Sequence, residues 1–313
     1  KEGAIIYNQT EKEFKISKSK IRGIQSNGML CSEEELGIEE KSTGIIELND
    51  SYQVGKSFSD YVSDEDVEVE IAITPNRVDC AGVYGIARDL SASGLGKLKE
   101  LKVEDIKSTQ KSIIKIENKL KDKDCPQFFL REVKNISNTD SPDWMLKRFK
   151  MTGIKIISCL VDITNYINFD LCRPLHVFDA DKIQGNIVIR HSKKGEKFLG
   201  LDDQEYILDD NMIVICDENK IISLAGILGG KNSCCDRETK NILIESAYFS
   251  PDSISSTGRK LNIQSDARYR FERGIDPEST ENGINLASRM ITKLCGGDLC
   301  EIIKDNSSIK KDQ

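Results

Sequence analysis

Three polar side chains stand among apolar neighbours, where each could take part in chemistry. Glu245 lies within NILIESAYF, which has the pattern of a buried strand, and a carboxylate there needs a charged partner or a ligand. His176 lies in PLHVFD, and a histidine can hold or exchange a proton near neutral pH. Asn165 in DITNYIN offers polar atoms that could contact a ligand.

Each of these side chains also has a purely structural interpretation. Glu245 could form an ion pair with one of the three arginines of a later segment, SDARYRFERGIDP. His176 could be a hydrogen-bonded core residue, and Asn165 could belong to a turn. The residues by themselves leave both interpretations open.

The arginine-rich segment carries helix-start and helix-stop signals. Ser265 is a good N-cap, Asp266 would suit the positive end of a helix dipole, and Gly274 would end the helix. The free backbone N–H groups of such a helix start can face an anion or a polar ligand. The simpler interpretation is a surface helix with salt-bridged arginines.

Several kinds of site are excluded by spacing. The ten cysteines form no C-x-x-C pair and only two histidines exist, so we expect no metal site. No Walker A loop, G-x-S-x-G elbow or dinucleotide fingerprint is present. LAGILGG places Gly226, Gly229 and Gly230 where the backbone must approach something closely, but without the strand–turn–helix context of a nucleotide loop.

Composition indicates a globular chain with a very polar surface. Of 313 residues, 38% are hydrophobic and 31% are charged. The net charge of -7 does not favour nucleic acid as a partner, so any contact with it would need local basic patches, and we expect no DNA partner. No apolar run is long enough to cross a membrane. The chain begins without a signal peptide or an initiator Met, so we interpret it as a piece of a longer protein. Its scattered cysteines suggest reduced thiols and a cytoplasmic location.

The elements that must position these residues indicate the α+β class, with sheets and helices in separate blocks. We expect short β segments over 1–65, then a strand at Val67–Ile73 and a helix within 66–100. A linker with one strand near Ile113 should fill 101–124. The largest region is 125–300, and a polar tail covers 301–313.

Region 125–300 has clear internal signals. Ser141 and Pro142 start a helix that ends at Gly153. A second helix carries the inner-face residues Ile284 to Leu294. Between them, β segments are predicted at 187–190, 212–216, 221–225 and 242–245.

Six segments, in this order along the chain, resemble the β subunit of bacterial phenylalanyl-tRNA synthetase: KSKIRGIQSNGMLCSEEELGI, EIAITPNRVDCAGVYGIARDL, VDITNYINFDLCRPLHVFDADKI, LAGILGG, NILIESAYFSP and SDARYRFERGIDP. The resemblance implies a multidomain α+β chain. Residues 1–65 would be the C-terminal part of the OB-like tRNA-binding B2 domain, a partial β barrel. Residues 66–100 would be a small α/β part of the B1 domain, and 125–300 the B3/B4 domain.

What the resemblance implies is editing, the hydrolysis of tyrosine wrongly attached to tRNA(Phe). A pocket for Phe rejects an added hydroxyl poorly, whereas a second site that hydrogen-bonds this hydroxyl rejects Phe strongly. By position, His176 matches the histidine near the scissile ester and Glu245 the carboxylate that accepts the tyrosine hydroxyl. The other matched pocket positions are Asn165, Gly229, Ser265 and Ala267, together with Lys155, which stands where some members have Arg.

The implied mechanism is water attack on the aminoacyl ester without a metal. His176 would orient the water or the ester, and backbone N–H groups near Gly229 or Ser265 would stabilise the oxyanion. The implied partners are tRNA(Phe) and the α subunit, in an (αβ)2 heterotetramer. This fragment would hold no cofactor, and ATP and Mg2+ would serve the whole synthetase, whose aminoacylation site lies in the α subunit.

Two alternatives stand beside editing. Lys15, Lys18, Lys20 and Arg22 could contact RNA phosphates as OB-folds do, although the nearby acidic run Glu33 to Glu35 favours an ordinary solvated face. The chain could also be a structural module that supports α–β assembly without its own catalysis.

Overall fold

The computed structural model describes residues 1–7, 13–38, 42, 44–48, 50, 52–62, 68–101, 103, 106–108 and 110–306. The chain divides into two compact units, residues 1–67 and residues 68–313. Both contain strands and helices, which confirms the α+β class and an organisation in more than one unit.

The first unit is built from two β-hairpins and one helical turn: β1 (Ile5–Tyr7) with β2 (Glu13–Lys15), β3 (Ser19–Ile21) with β4 (Ile24–Ser26), and α1 (Ser59–Val62). Ser32 and Glu35 form the two reciprocal hydrogen bonds of a capping box, with N···O distances of 2.8 and 3.1 Å. They close a turn that ends at Gly37.

The second unit contains six helices and eleven strands within residues 68–101, 103, 106–108 and 110–306. The helices are α2 (Val83–Ala92), α3 (Asp143–Met151), α4 (Cys159–Leu171), α5 (Pro251–Leu261), α6 (Asp266–Phe271) and α7 (Ser279–Cys295). The strands are β5 (Ile116–Asn118), β6 (Gln127–Lys134), β7 (His176–Asp179), β8 (Ile187–His191), β9 (Lys197–Leu199), β10 (Glu205–Ile207), β11 (Ile213–Cys216), β12 (Ile221–Leu224), β13 (Leu228–Gly229), β14 (Ile242–Tyr248) and β15 (Asp298–Asn306).

Two larger sheets organise this unit. One has the strand order β15-β6-β14-β7 and is antiparallel throughout, and the other has the order β13-β12-β11-β8-β5. β6 and β14 are central strands whose side chains are buried on both faces, which explains their nearly continuous apolar runs. The predicted strands at 187–190, 212–216, 221–225 and 242–245 are confirmed as β8, β11, β12 and β14.

The four-stranded sheet separates two hydrophobic cores. On β14, Leu243 and Ala247 belong to the first core, which includes the five-stranded sheet. Ile242 and Ile244 face the opposite way into the second core, beneath α4 and α7. Because strand side chains alternate between faces, Glu245 points to the first core together with Leu243 and Ala247.

Three expectations are corrected by the structure. Residues 68–74 form no strand, and Val69 and Ile71 are exposed, since no neighbouring strand in the described chain pairs with them; Val67 lies outside the described residues. The strand expected near Ile113 is β5, three residues later, and it pairs in parallel with β8 instead of lying in a linker. The polar tail begins later than expected, because residues 301–306 belong to β15, while 307–313 lie outside the described residues.

The three helices predicted in region 125–300 are confirmed as α3, α6 and α7. The helices α4 and α5 add two elements that the sequence pattern did not predict. Among the described residues, no helix is long and apolar enough to cross a membrane.

Candidate active site

His176 and Glu245 lie directly opposite each other in the four-stranded sheet. The antiparallel register of β7 and β14 pairs His176 with Glu245, Val177 with Ile244 and Phe178 with Leu243. Side chains of directly paired residues share one face of a sheet, with Cβ atoms about 5 Å apart. Both side chains therefore face the first core, at the end of the β7–β14 ladder.

The imidazole of His176 is held against apolar surroundings. Its ring packs edge-to-face on Phe178, with 4.5 Å between the ring centroids. Its Nε2 atom is buried and has no hydrogen-bond partner among the described residues. Burial lowers the pKa of His176 to about 4, so the ring is neutral at pH 7. A neutral imidazole can accept or orient a proton of a bound water or ligand.

Glu245 is a buried acid whose carboxyl group has no partner in the part of the chain that the structure describes. The residue is only 6% exposed to solvent. No described residue donates a hydrogen bond to it or forms an ion pair with it within 4.0 Å. Burial raises the pKa of Glu245 to about 8, while the positive charge of Arg173 acts in the opposite direction. At neutral pH the group is mainly a neutral carboxylic acid.

The structural alternative for Glu245, an ion pair with the later arginines, is wrong. Those arginines are bonded to other groups. Arg268 and Arg273 both bind Glu272 at 2.9 Å. Arg270 binds Asp266 at 3.1 Å and donates to the carbonyl oxygen of Ala81 at 2.9 Å. Arg268 and Arg270 are buried, so the segment has the expected salt bridges but is not a surface helix.

Gly229 gives the His176 ring the space it occupies. A methyl group in place of the Gly229 hydrogen would lie 2.5 Å from Cε1 and 2.9 Å from Nε2 of His176. The carbonyl oxygen of Gly229 accepts a hydrogen bond from the Leu201 amide at 3.0 Å, which fixes the backbone there. The sequence analysis expected the glycine backbone of LAGILGG to approach another group closely, and at Gly229 on β13 that group is the His176 ring.

Ser265 connects the start of α6 to the chain that leads into β13. Its Oγ accepts the Arg268 amide at 3.1 Å, as an N-cap does, and donates to the carbonyl oxygen of Ile227 at 2.7 Å. Ile227 is two residues before Gly229. Ala267, on the first turn of α6, is half-buried and packs against the first core.

Asn165 and Lys155 lie elsewhere. Asn165 is half-buried on α4, whose apolar residues pack into the second core, on the other face of the sheet from Glu245. Lys155 is exposed in the segment before α4. Nothing in the described structure links either of them to His176 or Glu245, so their roles remain predictions.

Arg173 is a residue that the sequence analysis missed. It is fully buried three residues before His176, and its charge acts on Glu245. A signal was available, because an arginine beside Pro174 and Leu175 in CRPLHVF is a charged residue in an apolar run, like His176 itself.

Two other features lie outside this site. In the first unit, Lys15, Lys18, Lys20 and Arg22 are exposed, and Lys18 pairs with Glu2 at 3.3 Å. Elsewhere, Asp79, Cys80 and Asp89 come close enough to hold a metal ion, the one such group of three in the described chain. Both carboxylates are already hydrogen-bonded to Arg77, at 3.0 and 2.7 Å.

Comparison with known proteins agrees with this architecture. The model of the B3/4 domain family matches residues 124–296, more than half of the chain. The chain belongs to the B3/4 domain family. The matched residues run from the start of β6 to the end of α7, so the B3/4 domain contains His176, Glu245, Gly229 and Ser265.

Curated relatives extend the similarity beyond the B3/4 domain. The chain is 48% identical over 287 residues to the phenylalanine–tRNA ligase β subunit of Brucella abortus, covering 90% of this chain and 35% of the relative. It is 49% identical over 282 residues to that of Mesorhizobium japonicum, with the same coverage. These matches confirm the resemblance, and the chain spans about a third of the length of these relatives.

A solved structure is also similar. An N-terminal fragment of the phenylalanyl-tRNA synthetase β subunit from Pyrococcus horikoshii matches with a TM-score of 0.43 and 16% identity, covering 74% of this chain and 65% of that one.

Proposed function

We propose that this chain is part of a phenylalanine–tRNA ligase β subunit and that its B3/4 domain hydrolyses Tyr-tRNA(Phe). The observation that carries the proposal is the His176–Glu245 pair. Both groups face one side of the sheet. Glu245 is buried, and His176 is half-buried with a buried Nε2 atom. Neither the Nε2 atom nor the Glu245 carboxyl group has a partner among the described residues. Polar groups left unpaired in a core cost free energy, and a ligand that pairs with them recovers it.

Glu245 is proposed to select the substrate. A phenolic hydroxyl can donate a hydrogen bond to an oxygen of the Glu245 carboxyl group, whereas a phenylalanine ring would leave this buried group unpaired. Sites that hydrogen-bond a substrate hydroxyl reject the analogue lacking it by factors of about 10⁴ or more. Glu245 thereby supplies the selectivity that a hydrophobic pocket cannot.

His176 is proposed to act on the reacting ester. A water molecule attacks the ester carbonyl carbon, the bond from that carbon to the ribose oxygen breaks, and a proton passes from the water to the leaving ribose oxygen. The free Nε2 of neutral His176 is suited to accept a hydrogen bond from the water and so to orient it.

The remaining proposed binding residues are assigned by position. Gly229 would leave room for the His176 ring and so keep the pocket open, Ala267 would leave room for the substrate, and Ser265 would fix the start of α6 beside β13. Asn165 and Lys155 are proposed to contact the tRNA end or the aminoacyl group.

The whole protein is proposed to work as a cytoplasmic (αβ)2 heterotetramer with an α subunit and tRNA(Phe). ATP and Mg2+ would serve aminoacylation in that assembly, and no residue of this chain is proposed to bind either.

The test is hydrolysis of preformed Tyr-tRNA(Phe), with Phe-tRNA(Phe) as the control substrate. The proposal expects wild type to release tyrosine selectively, His176→Ala to lose the rate on Tyr-tRNA(Phe), and Glu245→Ala to lose the preference for it. The assay should include the chain within its αβ enzyme, where tRNA delivery is complete. Unchanged activity in both variants would rule out this site.

An RNA-binding role of the first unit is a second candidate. It is supported by Lys20 and Arg22, which are exposed on the β3–β4 hairpin and form no ion pair with a described carboxylate. If these cations contact phosphates, Lys20→Ala and Arg22→Ala will weaken tRNA binding and lower its salt dependence. If both variants bind tRNA as tightly as wild type at low salt, the RNA-binding role is refuted, and the structural role in α–β assembly is the alternative for this unit.

A further inference from the structure

Two aromatic rings meet on the outer side of the helices that cover the second core. Trp144 on α3 is 44% exposed to solvent, although the next residue, Met145, is fully buried. Its ring packs edge-to-face on Tyr166 of α4, with 5.3 Å between the ring centroids. Tryptophan and tyrosine are enriched in binding surfaces relative to the rest of a protein surface. The pair therefore marks a candidate contact surface.

A cavity of about 300 Å³ opens beside these two rings. Its other lining residues lie on α7 and are Met290, Lys293 and Leu294. The cavity is thus lined by two aromatic rings, two aliphatic side chains and one cation. Its volume lies at the lower end of the range for ligand pockets, which suits a single ring-sized group.

Cations lie directly against the rings and the cavity. The guanidinium carbon of Arg148 is 5.4 Å from the centroid of the Trp144 ring and 5.7 Å from that of Tyr166. Its Nη1 also donates a hydrogen bond to the Tyr166 hydroxyl at 2.7 Å, so Arg148 holds both rings in one arrangement. Lys293 is exposed and forms no ion pair with a carboxylate of the described residues.

The charge of this surface is opposite to that of the whole chain. The net charge of the chain is -7, whereas α3 carries three cations against one carboxylate: Lys147, Arg148 and Lys150 against Asp143. Asp170 on α4 also acts on Tyr166, but it is half-buried, and burial raises its pKa. The rings therefore lie in a local basic patch, which attracts an anionic partner.

We propose that this surface, formed by Trp144, Arg148, Tyr166 and Lys293, binds an unpaired nucleotide of an RNA strand. The base stacks on Trp144 at the cavity, and the adjoining phosphate pairs with Lys293. Exposed aromatic rings beside cations are the means by which proteins hold single-stranded nucleic acids. A protein partner could place an apolar side chain in the cavity, but the surrounding cations would then have no counterpart.

The surface lies on the far side of the four-stranded sheet from the His176–Glu245 pair. Residues of α3, α4 and α7 pack into the second core, whereas Glu245 faces the first. The nucleotide bound here is therefore distant from the aminoacyl end of a substrate in the proposed hydrolytic site. The inference deepens the proposed function by giving its tRNA a second contact, and it rests on that function for the identity of the RNA.

Trp144 is the only tryptophan among the 313 residues, so its fluorescence reports on this surface directly. The first experiment titrates this chain with a single-stranded RNA of about eight nucleotides, and the control probe is duplex RNA of the same length. We expect the single strand to quench the Trp144 emission in a saturable manner that weakens with salt, and the duplex to have little effect. No quenching, or equal quenching by both probes, overturns the proposal.

The second experiment separates stacking from charge. Trp144→Ala should weaken binding of deacylated tRNA(Phe) to the αβ enzyme about tenfold, since it removes the stacking ring. In this chain, Lys293→Met keeps the aliphatic part of the side chain and removes the charge. It should lower the slope of log affinity for the single strand against log salt by about 0.7, the share of one phosphate contact. Lys194→Met removes an exposed charge before β9 and should change neither quantity.

Three results would contradict the proposal. One is an unchanged tRNA affinity in folded Trp144→Ala, and another is an unchanged salt slope in Lys293→Met, which decides if Trp144→Ala fails to fold. The third is a change of Trp144 emission on addition of the α subunit but not of RNA, which would make the surface a protein interface.

The proposed function and this inference fail separately, because the binding measurements involve no hydrolysis. An enzyme that binds RNA at Trp144 but does not hydrolyse Tyr-tRNA(Phe) refutes the proposed function alone. An enzyme that hydrolyses Tyr-tRNA(Phe), and whose Trp144 emission does not respond to RNA, refutes the inference alone.

Discussion

His176 and Glu245 are the terminal register pair of β7 and β14, and their pKa values are moved in opposite directions by the same cause. Burial disfavours the charged form of each, which lowers the pKa of His176 to about 4 and raises that of Glu245 to about 8. At neutral pH both members of the pair are mainly uncharged. The site can therefore offer His176 as a proton acceptor and Glu245 as a group that hydrogen-bonds a hydroxyl, without a salt bridge between them.

Replacing Glu245 with glutamine is expected to stabilise the fold increasingly as pH rises. Between pH 4.5 and about pH 8 the unfolded chain has released a proton that folded Glu245 retains, so wild-type stability falls across this window. Glutamine does not titrate. The free energy of unfolding of Glu245→Gln should gain roughly 2–5 kcal/mol on wild type across the window and then level off. Urea unfolding at several pH values measures it, with exposed Glu238→Gln as the baseline.

His176 makes the free energy of unfolding depend on pH in the opposite direction. The unfolded histidine takes up a proton near pH 6.5, whereas the folded one resists until about pH 4, so wild-type stability is lost as pH falls through this window. His176→Asn should therefore gain on wild type by roughly 1–3 kcal/mol between these pH values, a range that allows for the half-buried ring. A difference that does not change with pH would contradict the burial of His176.

Gly229→Ala tests the close contact between β13 and the His176 ring. The added methyl group would lie 2.5 Å from Cε1, so either the ring or β13 must move. Forced repacking of this kind costs about 1–3 kcal/mol, and a displaced imidazole should lose most of the hydrolytic rate. Gly96→Ala is the matched control, because nothing lies within 4 Å of its added methyl group. Equal stability and activity of the two variants would refute the contact.

The sequence patterns located much of what surrounds this site. Alternating apolar residues and short continuous apolar runs correctly predicted the positions of β8, β11, β12 and β14. This worked because strands in a two-layer core have an unambiguous burial pattern. The Ser265 N-cap was also correct, since capping is a local hydrogen bond that a short sequence determines. The same reasoning identified Glu245 as a carboxylate in need of a partner.

What local patterns could not give were the long-range pairings. Residues 68–74 have strand-like alternation but no strand beside them, and alternation alone cannot supply a partner. The helix α4 was missed because its segment combines β-branched and aromatic residues, and its apolar face is defined by contacts with distant elements such as α7 and β7. Arg173 was missed because its hydrogen bonds to Ser246 and Ala247 reach β14, more than 70 residues later in the chain.

The last strand of the chain, β15, provides a further test, because it continues past residue 300, where the sequence predicted a polar tail. Residues Ile302 to Asn306 pair with Arg131 to Gln127 on β6, which places a strand along the edge of the four-stranded sheet. A chain ending at Cys300 should be less stable than one ending at Asn306 by roughly 3 kcal/mol or more. It loses several ladder hydrogen bonds at about 1 kcal/mol each and exposes part of β6.

Lys304→Ala in the chain ending at Asn306 separates backbone pairing from side-chain charge. Lys304 forms an ion pair with Glu281, but both groups are largely exposed, so this change should cost less than about 1 kcal/mol. Urea unfolding followed by circular dichroism compares all three chains. Equal midpoints for the chains ending at Cys300 and Asn306 would mean that β15 contributes nothing beyond Cys300. A large loss in Lys304→Ala would instead assign the stabilisation to the ion pair and not to the strand.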